Sequence, residues 1–490
     1  MKLNEANLSY LPAGIATPGY DRSSLTPGIV HIGTGNFHRA HMAVYLDDLF
    51  AMGLDHDWAI LGAGVREGDE KMRVLLEGQD YLSSVTELDP DTTTTRIIGA
   101  MPGFVPVASD NAPLIAAMSA PHIRIVSLTV TEGGYFIDPK TGTFSPEHPA
   151  IQRDAANPDA PETAFGAIIA ALKARRAAGV LPFTVMCCDN VPHNGHVTRD
   201  VIVGLCRLFD AEMAGWITAN VAFPNSMVDR ITPATGPREL QMVQDMGVED
   251  AAPVTCEAFR QWVVEDNFPA GRPALEKVGV TFTDAVDAYE TMKIRILNGG
   301  HAIIAYPGGL KDIHFVHEAM QDDQIRAFLD KVETDEILPI VPPVPNTDLD
   351  AYKQLILDRC SNPAVADTVR RLCLDGSNRQ PKFIVPSIRD VVSRGRDATG
   401  LILLSALWCR YCFGTSENGT EIAPNDPNWE RLTLAAAQAK SDPAVWLAMR
   451  EVYGDLGQNE AVSARFAELL NAIWAEGSVV VIQRYLDGTL

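Results

Sequence analysis

Gly28-Ile29-Val30-His31-Ile32-Gly33-Thr34-Gly35-Asn36-Phe37-His38-Arg39-Ala40-His41 is the stretch that decides the fold. Its opening run, Gly28 to Ile32, has the near-continuous apolar character of a strand buried on both faces. It passes directly into Gly33 and Gly35. Two glycines after a strand let the backbone turn tightly and approach a pyrophosphate. A helix beginning behind the turn then offers its first amides and positive dipole end to the phosphates. The third glycine of G-x-G-x-x-G is absent, because His38 stands there. A bare Gly-x-Gly also fits an ordinary strand–helix turn, and Arg39 fits either a phosphate contact or a surface position. Placement after the first strand of an α/β domain is what favours the nucleotide reading.

Outward from this loop, strand-like runs recur at Trp58 to Gly62, Ile123 to Val130 and Phe183 to Met186. Helical stretches separate them: Arg39 to Met52, and Pro161 to Ala178 with proline in a tolerated first-turn position. Such alternation predicts a mostly parallel sheet covered on both faces. From about Ala285 strand-like runs become scarce. Helices are expected over Asp322–Glu333, Leu349–Cys360, Ala364–Cys373 and most of Trp429–Asp487, with a proline-rich loop at 339–345. The fold class is therefore α/β: a Rossmann-like N-terminal domain over 1–284 and a predominantly α-helical C-terminal domain over 285–490, carrying substrate binding and catalysis.

The chain has 490 residues, 40 Lys+Arg against 63 Asp+Glu and a net charge of −23, which argues against a nucleic-acid partner. The longest apolar runs, such as Leu401 to Cys409, fall far short of the ~20 residues that span a bilayer, and the N-terminus lacks a secretory pattern. The eight cysteines include one C-x-x-C, Cys409 to Cys412, half of a tetrahedral zinc site with no second pair at ligand spacing. These features predict a cytoplasmic protein with reduced thiols, no membrane partner and no structural metal.

Two further segments carry chemistry. After the second strand, Gly62-Ala63-Gly64-Val65-Arg66-Glu67-Gly68-Asp69 places Asp69 where an acidic residue meets the adenosine ribose hydroxyls, favouring NAD over NADP. Arg66 and Glu67 stand close enough to compete for the assignment. The second segment is Tyr289-Glu290-Thr291-Met292-Lys293-Ile294-Arg295-Ile296-Leu297-Asn298-Gly299-Gly300-His301. On a helix at ~100° per residue, Asn298 lies about 140° and His301 about 80° from Lys293, all on one side. The same spacing suits an amphipathic helix with a solvated lysine, a capping asparagine and a core histidine. Gly299 and Gly300 make sense where a ligand or another backbone approaches closely. The chemistry that fits is alcohol oxidation without a metal. A desolvated Lys293 acts as general base, an asparagine amide steadies the developing alkoxide, and His301 orients the hydroxyl.

With these pieces in place, the whole chain resembles the mannitol dehydrogenase family, the polyol-specific long-chain dehydrogenases and reductases. The resemblance rests on the Gly33 to His41 loop, Thr129-Val130-Thr131-Glu132-Gly133-Gly134-Tyr135, Cys188-Asp189-Asn190, Phe223-Pro224-Asn225-Ser226-Met227-Val228-Asp229-Arg230-Ile231-Thr232-Pro233, the Lys293 to His301 segment and Asp375-Gly376-Ser377. It implies a metal-independent, NAD-linked enzyme acting on a small polyol or ketose, as a monomer or weak oligomer. It assigns Lys293 as base, Asn190 and Asn298 as the alkoxide-stabilising pair and His301 to the substrate. Glu132 and Glu290 are implied in the proton relay, and Asp229 and Arg371 in polyol-hydroxyl contacts. Gly33, Gly35, Asn36, Phe37, Arg39 and Asp69 are implied around the cofactor. Asp229-Arg230 also reads as a structural ion pair.

Two positions depart from the family pattern. Arg379 replaces a lysine that mannitol-oxidising members tend to carry, and one carboxylate of an acidic pair is missing at Gly68-Asp69. The expected reaction is reversible oxidation of D-mannitol to D-fructose, with D-arabinitol or D-sorbitol as further substrates. Because an arginine fork grips carboxylates well, Arg371 with Arg379 keeps open a rival, reduction of D-fructuronate to D-mannonate. A non-catalytic dinucleotide-binding protein is the reading from another class, and it leaves the Lys–Asn–His set without a purpose.

Overall fold

A computed structural model describes residues 1–138 and 141–490, apart from the side chain of Glu132. The chain forms two compact units, Met1–Val286 and Asp287–Leu490. In the first, the strands are β1 (Pro27–Ile32), β2 (Ala59–Ala63), β3 (Ser83–Leu88), β4 (Thr93–Ile98), β5 (Gly103–Phe104), β6 (Ile125–Leu128), β7 (Thr184–Cys187), β8 (Ser226–Asp229), β9 (Val254–Glu257), β10 (Gln261–Val264) and β11 (Thr281–Phe282). Five form the main sheet in the order β5-β2-β1-β6-β7, and every pair in it is parallel. Numbered among themselves these strands lie 3-2-1-4-5, the order of a dinucleotide-binding sheet. Its direction reverses between β1 and β6, so the ligand crevice lies beyond their carboxyl ends. Two three-stranded sheets, β11-β10-β8 and β4-β3-β9, accompany it.

The central strands read as continuous apolar runs because both faces are buried. Val30, Ile32, Val126, Leu128, Val185 and Cys187 enter one core cluster, while Ile29, Ile125 and Met186 enter the other. At roughly 25 cal/mol per Å² of buried apolar surface, these residues are the main source of the domain's stability.

Three expected elements are reshaped by long-range contacts. The helix expected over Arg39–Met52 is two helices, α1 (Asn36–Ala40) and α2 (Met42–Ala51), broken at His41. The His41 ring is buried, bonds through Nε2 to the Gln261 carbonyl at 3.0 Å and packs edge-on to Trp262, which pulls its backbone out of the helix. The helix expected from Pro161 is Ala164–Ala177, capped by the Thr163 hydroxyl. The Asp154 carboxylate accepts from the Glu162 and Thr163 amides and holds Pro161 outside it. Ala364–Cys373 shrinks to Val369–Leu372, because Asp367 and Val369 exchange backbone bonds with Val316 and His314 instead of extending the helix.

The second unit is helical, with no named strand among its described residues. The apolar run Leu401 to Cys409 lies in the helix Thr399–Cys412, buried along its whole length. No described helix is long and apolar enough to cross a membrane. Cys409 and Cys412 are packing residues of that helix.

Candidate active site

Gly33 follows β1 with φ +100°, and a Cβ there would stand 2.1 Å from the Thr129 carbonyl oxygen. Only glycine fits. Gly35 differs: its φ is ordinary, and a Cβ would meet nothing within 4 Å. That space lies at the switch point between β1 and β6, where a pyrophosphate needs close backbone approach, so the turn fits a dinucleotide. Asn36 anchors the turn, donating to Thr235 Oγ1 at 2.8 Å and the Pro233 carbonyl at 3.3 Å. Phe37 stacks on His41 with ring centroids 5.0 Å apart.

Beyond β2, Asp69 sits in the first turn of α3 (Glu67–Glu77). Its Oδ2 accepts from the Val65 and Arg66 amides, both at 2.9 Å. A Cβ on Gly64 would fall 2.1 Å from the Asp69 Cβ, so Gly64 makes room for this carboxylate.

The loops after β6 and β7 are tied together by Asp189. Its carboxylate accepts from the Val130 and Thr131 amides, both at 2.9 Å, and from the Tyr135 hydroxyl at 2.6 Å. Thr131 is held at φ +68°, costly for a β-branched residue, immediately before Glu132. Asn190, next to Asp189, is exposed. The Asn225-Ser226 stretch closes the same region. Asn194 brackets Ser226 through both its amide atoms, and Asn225 Oδ1 accepts from the Gly195 and His196 amides.

In the second unit, Lys293 opens a π-helical turn, Lys293–Asn298, inserted between the helices Val286–Met292 and Gly299–Leu310. Bonds in such a turn run from residue i to i+5, as from the Ile294 carbonyl to the Gly299 amide. The wider winding brings the residue five positions on closer to the first, so Asn298 lies nearer the Lys293 side than the ~140° of an ideal α-helix. Lys293 is 7% exposed, while Glu290, Asn298 and His301 are half-buried.

Of the glycines behind the turn, Gly300 serves packing. A Cβ on Gly300 would stand 2.8 Å from Glu333 Oε1, and one on Gly299 would lie 3.8 Å from Ile337. Glu333 is fully buried in a second π-helical turn, Glu333–Ile337, and neither carboxylate oxygen has a hydrogen-bond partner among the described residues.

Burial pushes the Glu333 carboxyl well above the ordinary glutamate value. The folded chain then holds a proton that the unfolded chain releases. The stability this confers is complete below about pH 4.5 and is lost as pH rises towards the folded-state value. Glu333→Gln removes that dependence. Melting curves from pH 4 to 8 should show the variant gaining on wild type as pH rises, by roughly 2–4 °C per kcal/mol.

Two family models match the chain: the mannitol dehydrogenase Rossmann domain over residues 27–277 and the mannitol dehydrogenase C-terminal domain over 285–474. A mannitol 2-dehydrogenase from Cereibacter sphaeroides is 66% identical over 472 residues, covering 96% of this chain and 99% of that protein. The chain belongs to the mannitol dehydrogenase family. Among solved structures, a Pseudomonas fluorescens mannitol 2-dehydrogenase in ternary complex with NAD and D-mannitol matches with a TM-score of 0.89 and 44% identity, over 99% of this chain and all of that one. A substrate-free D-sorbitol dehydrogenase matches with a TM-score of 0.88 and 34% identity, over 98% of this chain and all of that one.

Several residues implied by the mannitol dehydrogenase resemblance are placed differently from expectation. Arg39 is neither on the surface nor turned to a phosphate. Its guanidinium is buried, donating to the Ala252 carbonyl, Ser83 and Asn36, and so braces the turn from behind. Asp69 gives one oxygen to its own loop, leaving Oδ1 outside those bonds. Arg230 pairs with Glu87 and the Ala40 carbonyl, so the ion pair expected for Asp229-Arg230 is made by Arg230 with another strand. Asp229 is buried at the end of β8.

Arg371 forms a bidentate pair with Asp367, one turn before it. Arg379 donates to the carbonyls of Arg371 and Leu372, which brings the two arginines side by side. Glu132 belongs to the short helix Glu132–Tyr135, and its side chain lies outside the described residues. Sequence reasoning missed Asp189 as the residue that ties the two loops. Its signal was only its adjacency to Asn190, since its partners lie 54 or more residues away.

Proposed function

We propose that this member of the mannitol dehydrogenase family oxidises D-mannitol to D-fructose, reversibly, with NAD and without a metal. The 66% identity to a mannitol 2-dehydrogenase across nearly the whole chain carries the reaction. The buried Lys293 at the head of a π-turn supports the mechanism. Residues 1–284 hold the dinucleotide and residues 285–490 supply substrate binding and catalysis. Gly33, Gly35, Asn36, Phe37 and Asp69 hold NAD, which when bound supplies the hydride acceptor.

Lys293 takes the proton of the C2 hydroxyl as that carbon gives up its hydride. The alcohol thus loses a hydride and a proton and becomes the ketone. The amides of Asn190 and Asn298 donate to the oxygen while it carries negative charge, and His301 orients it. Glu290 and Glu132 pass the proton from Lys293 to solvent, and Asp229 and Arg371 hold hydroxyls further along the polyol. The protein works in the cytoplasm as a monomer or weak oligomer, with no nucleic-acid or membrane partner.

The carboxylate-substrate alternative is disfavoured by one observation: Arg371 already gives Nε and Nη2 to Asp367, which leaves Nη1 for a hydroxyl but not that fork for a second carboxylate. NADH oxidation with D-fructose and D-fructuronate side by side, in the presence of a chelator, tests both readings. Fructose should be preferred and the chelator should have no effect. Arg379→Lys should then change the two substrates' kcat/KM equally, within about threefold. A fructuronate preference that collapses in this variant would move the enzyme to sugar acids. D-Sorbitol and D-arabinitol, assayed in the oxidative direction, should be slower substrates than D-mannitol.

A further inference from the structure

Where their neighbours are apolar, the two strands at the switch point carry a polar pair. His31 on β1 and Ser127 on β6 are register partners and fully buried. They share the sheet face from which Ile29 and Ile125 join the core packed with α1 and α2. Ser127 Oγ lies 2.7 Å from His31 Nδ1. His31 Nε2 lies 2.8 Å from Thr129 Oγ1 and 3.3 Å from the Gly33 carbonyl. A carbonyl only accepts, so Nε2 carries the proton and Ser127 donates to Nδ1. Thr129 in turn donates to the Gly33 carbonyl at 2.6 Å. A line of hydrogen bonds therefore runs from β6 through the imidazole to the start of the glycine turn.

His38 lies flat on this imidazole, with ring centroids 3.5 Å apart and planes 15° from parallel. It is 1% exposed, and neither ring nitrogen has a hydrogen-bond partner among the described residues. Burial pushes both rings down, His31 to about 3 and His38 well below its ordinary value, with His31, Arg39 and His41 adding to the effect on His38. Both are neutral at any working pH. A buried ring with two unpaired nitrogens is costly, so its polar atoms do not account for it. What it contributes at this position is a flat surface of defined thickness.

We propose that His38 is a positioning residue for the dinucleotide: stacked on the tethered His31 ring, it sets the height of the Gly33–Asn36 turn above β1. A third glycine does the corresponding job by letting helix and strand touch. Here an aromatic spacer replaces that contact, so restoring the glycine weakens nucleotide binding. The inference rests on the functional reading that places the dinucleotide at this turn.

The test is fluorescence titration of NADH into the purified full-length protein, with circular dichroism and melting curves as folding controls. His38→Gly should raise the NADH Kd about tenfold, while kcat at saturating NADH falls less than about threefold. His38→Phe, which keeps a flat ring without nitrogens, should restore binding close to the wild-type level. Ser127→Ala, which unties His31 from β6, should weaken NADH binding about threefold or more.

Wild-type affinity in folded His38→Gly overturns the proposal, and so does a folded His38→Phe that binds NADH poorly. Should His38→Gly fail to fold, the other two variants decide. Weaker binding in Ser127→Ala with His38→Phe intact supports the spacer, and an unchanged Kd in Ser127→Ala overturns it. Failure of the wild-type protein to bind NADH would overturn the functional reading itself, and this inference with it.

Discussion

Lys293→Ala should lower the rate of D-fructose reduction about 10³-fold, or ~4 kcal/mol of transition-state stabilisation, the usual scale for removing a general base. NADH should still bind, because no residue of the glycine turn is touched. Lys293→Arg is the sharper companion. It keeps a cation of similar length but cannot give up its proton at any working pH, so it should be as inactive as the alanine variant. A small primary amine added to Lys293→Ala should restore part of the rate. Turnover retained within tenfold in both variants would remove Lys293 as the base. The π-turn makes the outcome specific, since the backbone bonding of Lys293–Asn298 does not depend on the lysine side chain.

Gly33→Ala should have the largest effect in the nucleotide domain. The residue sits at φ +100°, and the new Cβ would stand 2.1 Å from the Thr129 carbonyl. Backbone strain and the clash together should cost ~3–5 kcal/mol, seen as a fall in Tm of roughly 6–20 °C and loss of measurable NADH binding. Gly35→Ala is the control that separates fold from ligand. Its backbone is ordinary and its Cβ meets nothing within 4 Å, so Tm should stay within about 2 °C while the NADH Kd rises about tenfold. Normal NADH affinity in Gly35→Ala would mean that the open side of the turn does not receive the cofactor.

The parts of the site readable in the sequence are those whose chemistry is local. A strand that must be buried on both faces is apolar at most positions, and Gly33 is needed because of its own φ and the chain beside it. The parts that were misread depend on distant partners. Arg39 looked like a surface or phosphate-facing residue because nothing nearby in the chain announces Ala252 or Ser83. His41 sits in a stretch of good helical periodicity, and only β10 breaks it. Asp189 seemed a bystander to Asn190, yet it links two loops whose amides come from another strand's end.

The same division holds for the Lys293–His301 segment. Lys293, Asn298 and His301 were singled out as a set from residue type and spacing. Their angles around the axis differ from the expectation, because helical angles assume i→i+4 bonding and the Lys293–Asn298 turn bonds i→i+5. Of the glycines after it, read as room for a ligand or another backbone, Gly300 makes room for Glu333, whereas a Cβ on Gly299 would meet only ordinary contacts.

By itself, then, the sequence determined the α/β class, and it singled out the glycine turn and the lysine–asparagine–histidine set on which the proposed chemistry rests. Each follows from side-chain polarity, backbone freedom or an ordered motif within a short window. Only the tertiary structure decided which arginines are braces, where helices break and how the Lys293 turn is wound. The braces and the breaks depend on hydrogen bonds and contacts between residues tens to hundreds of positions apart, and the winding of the turn on a shift to i→i+5 bonding that residue type alone does not announce.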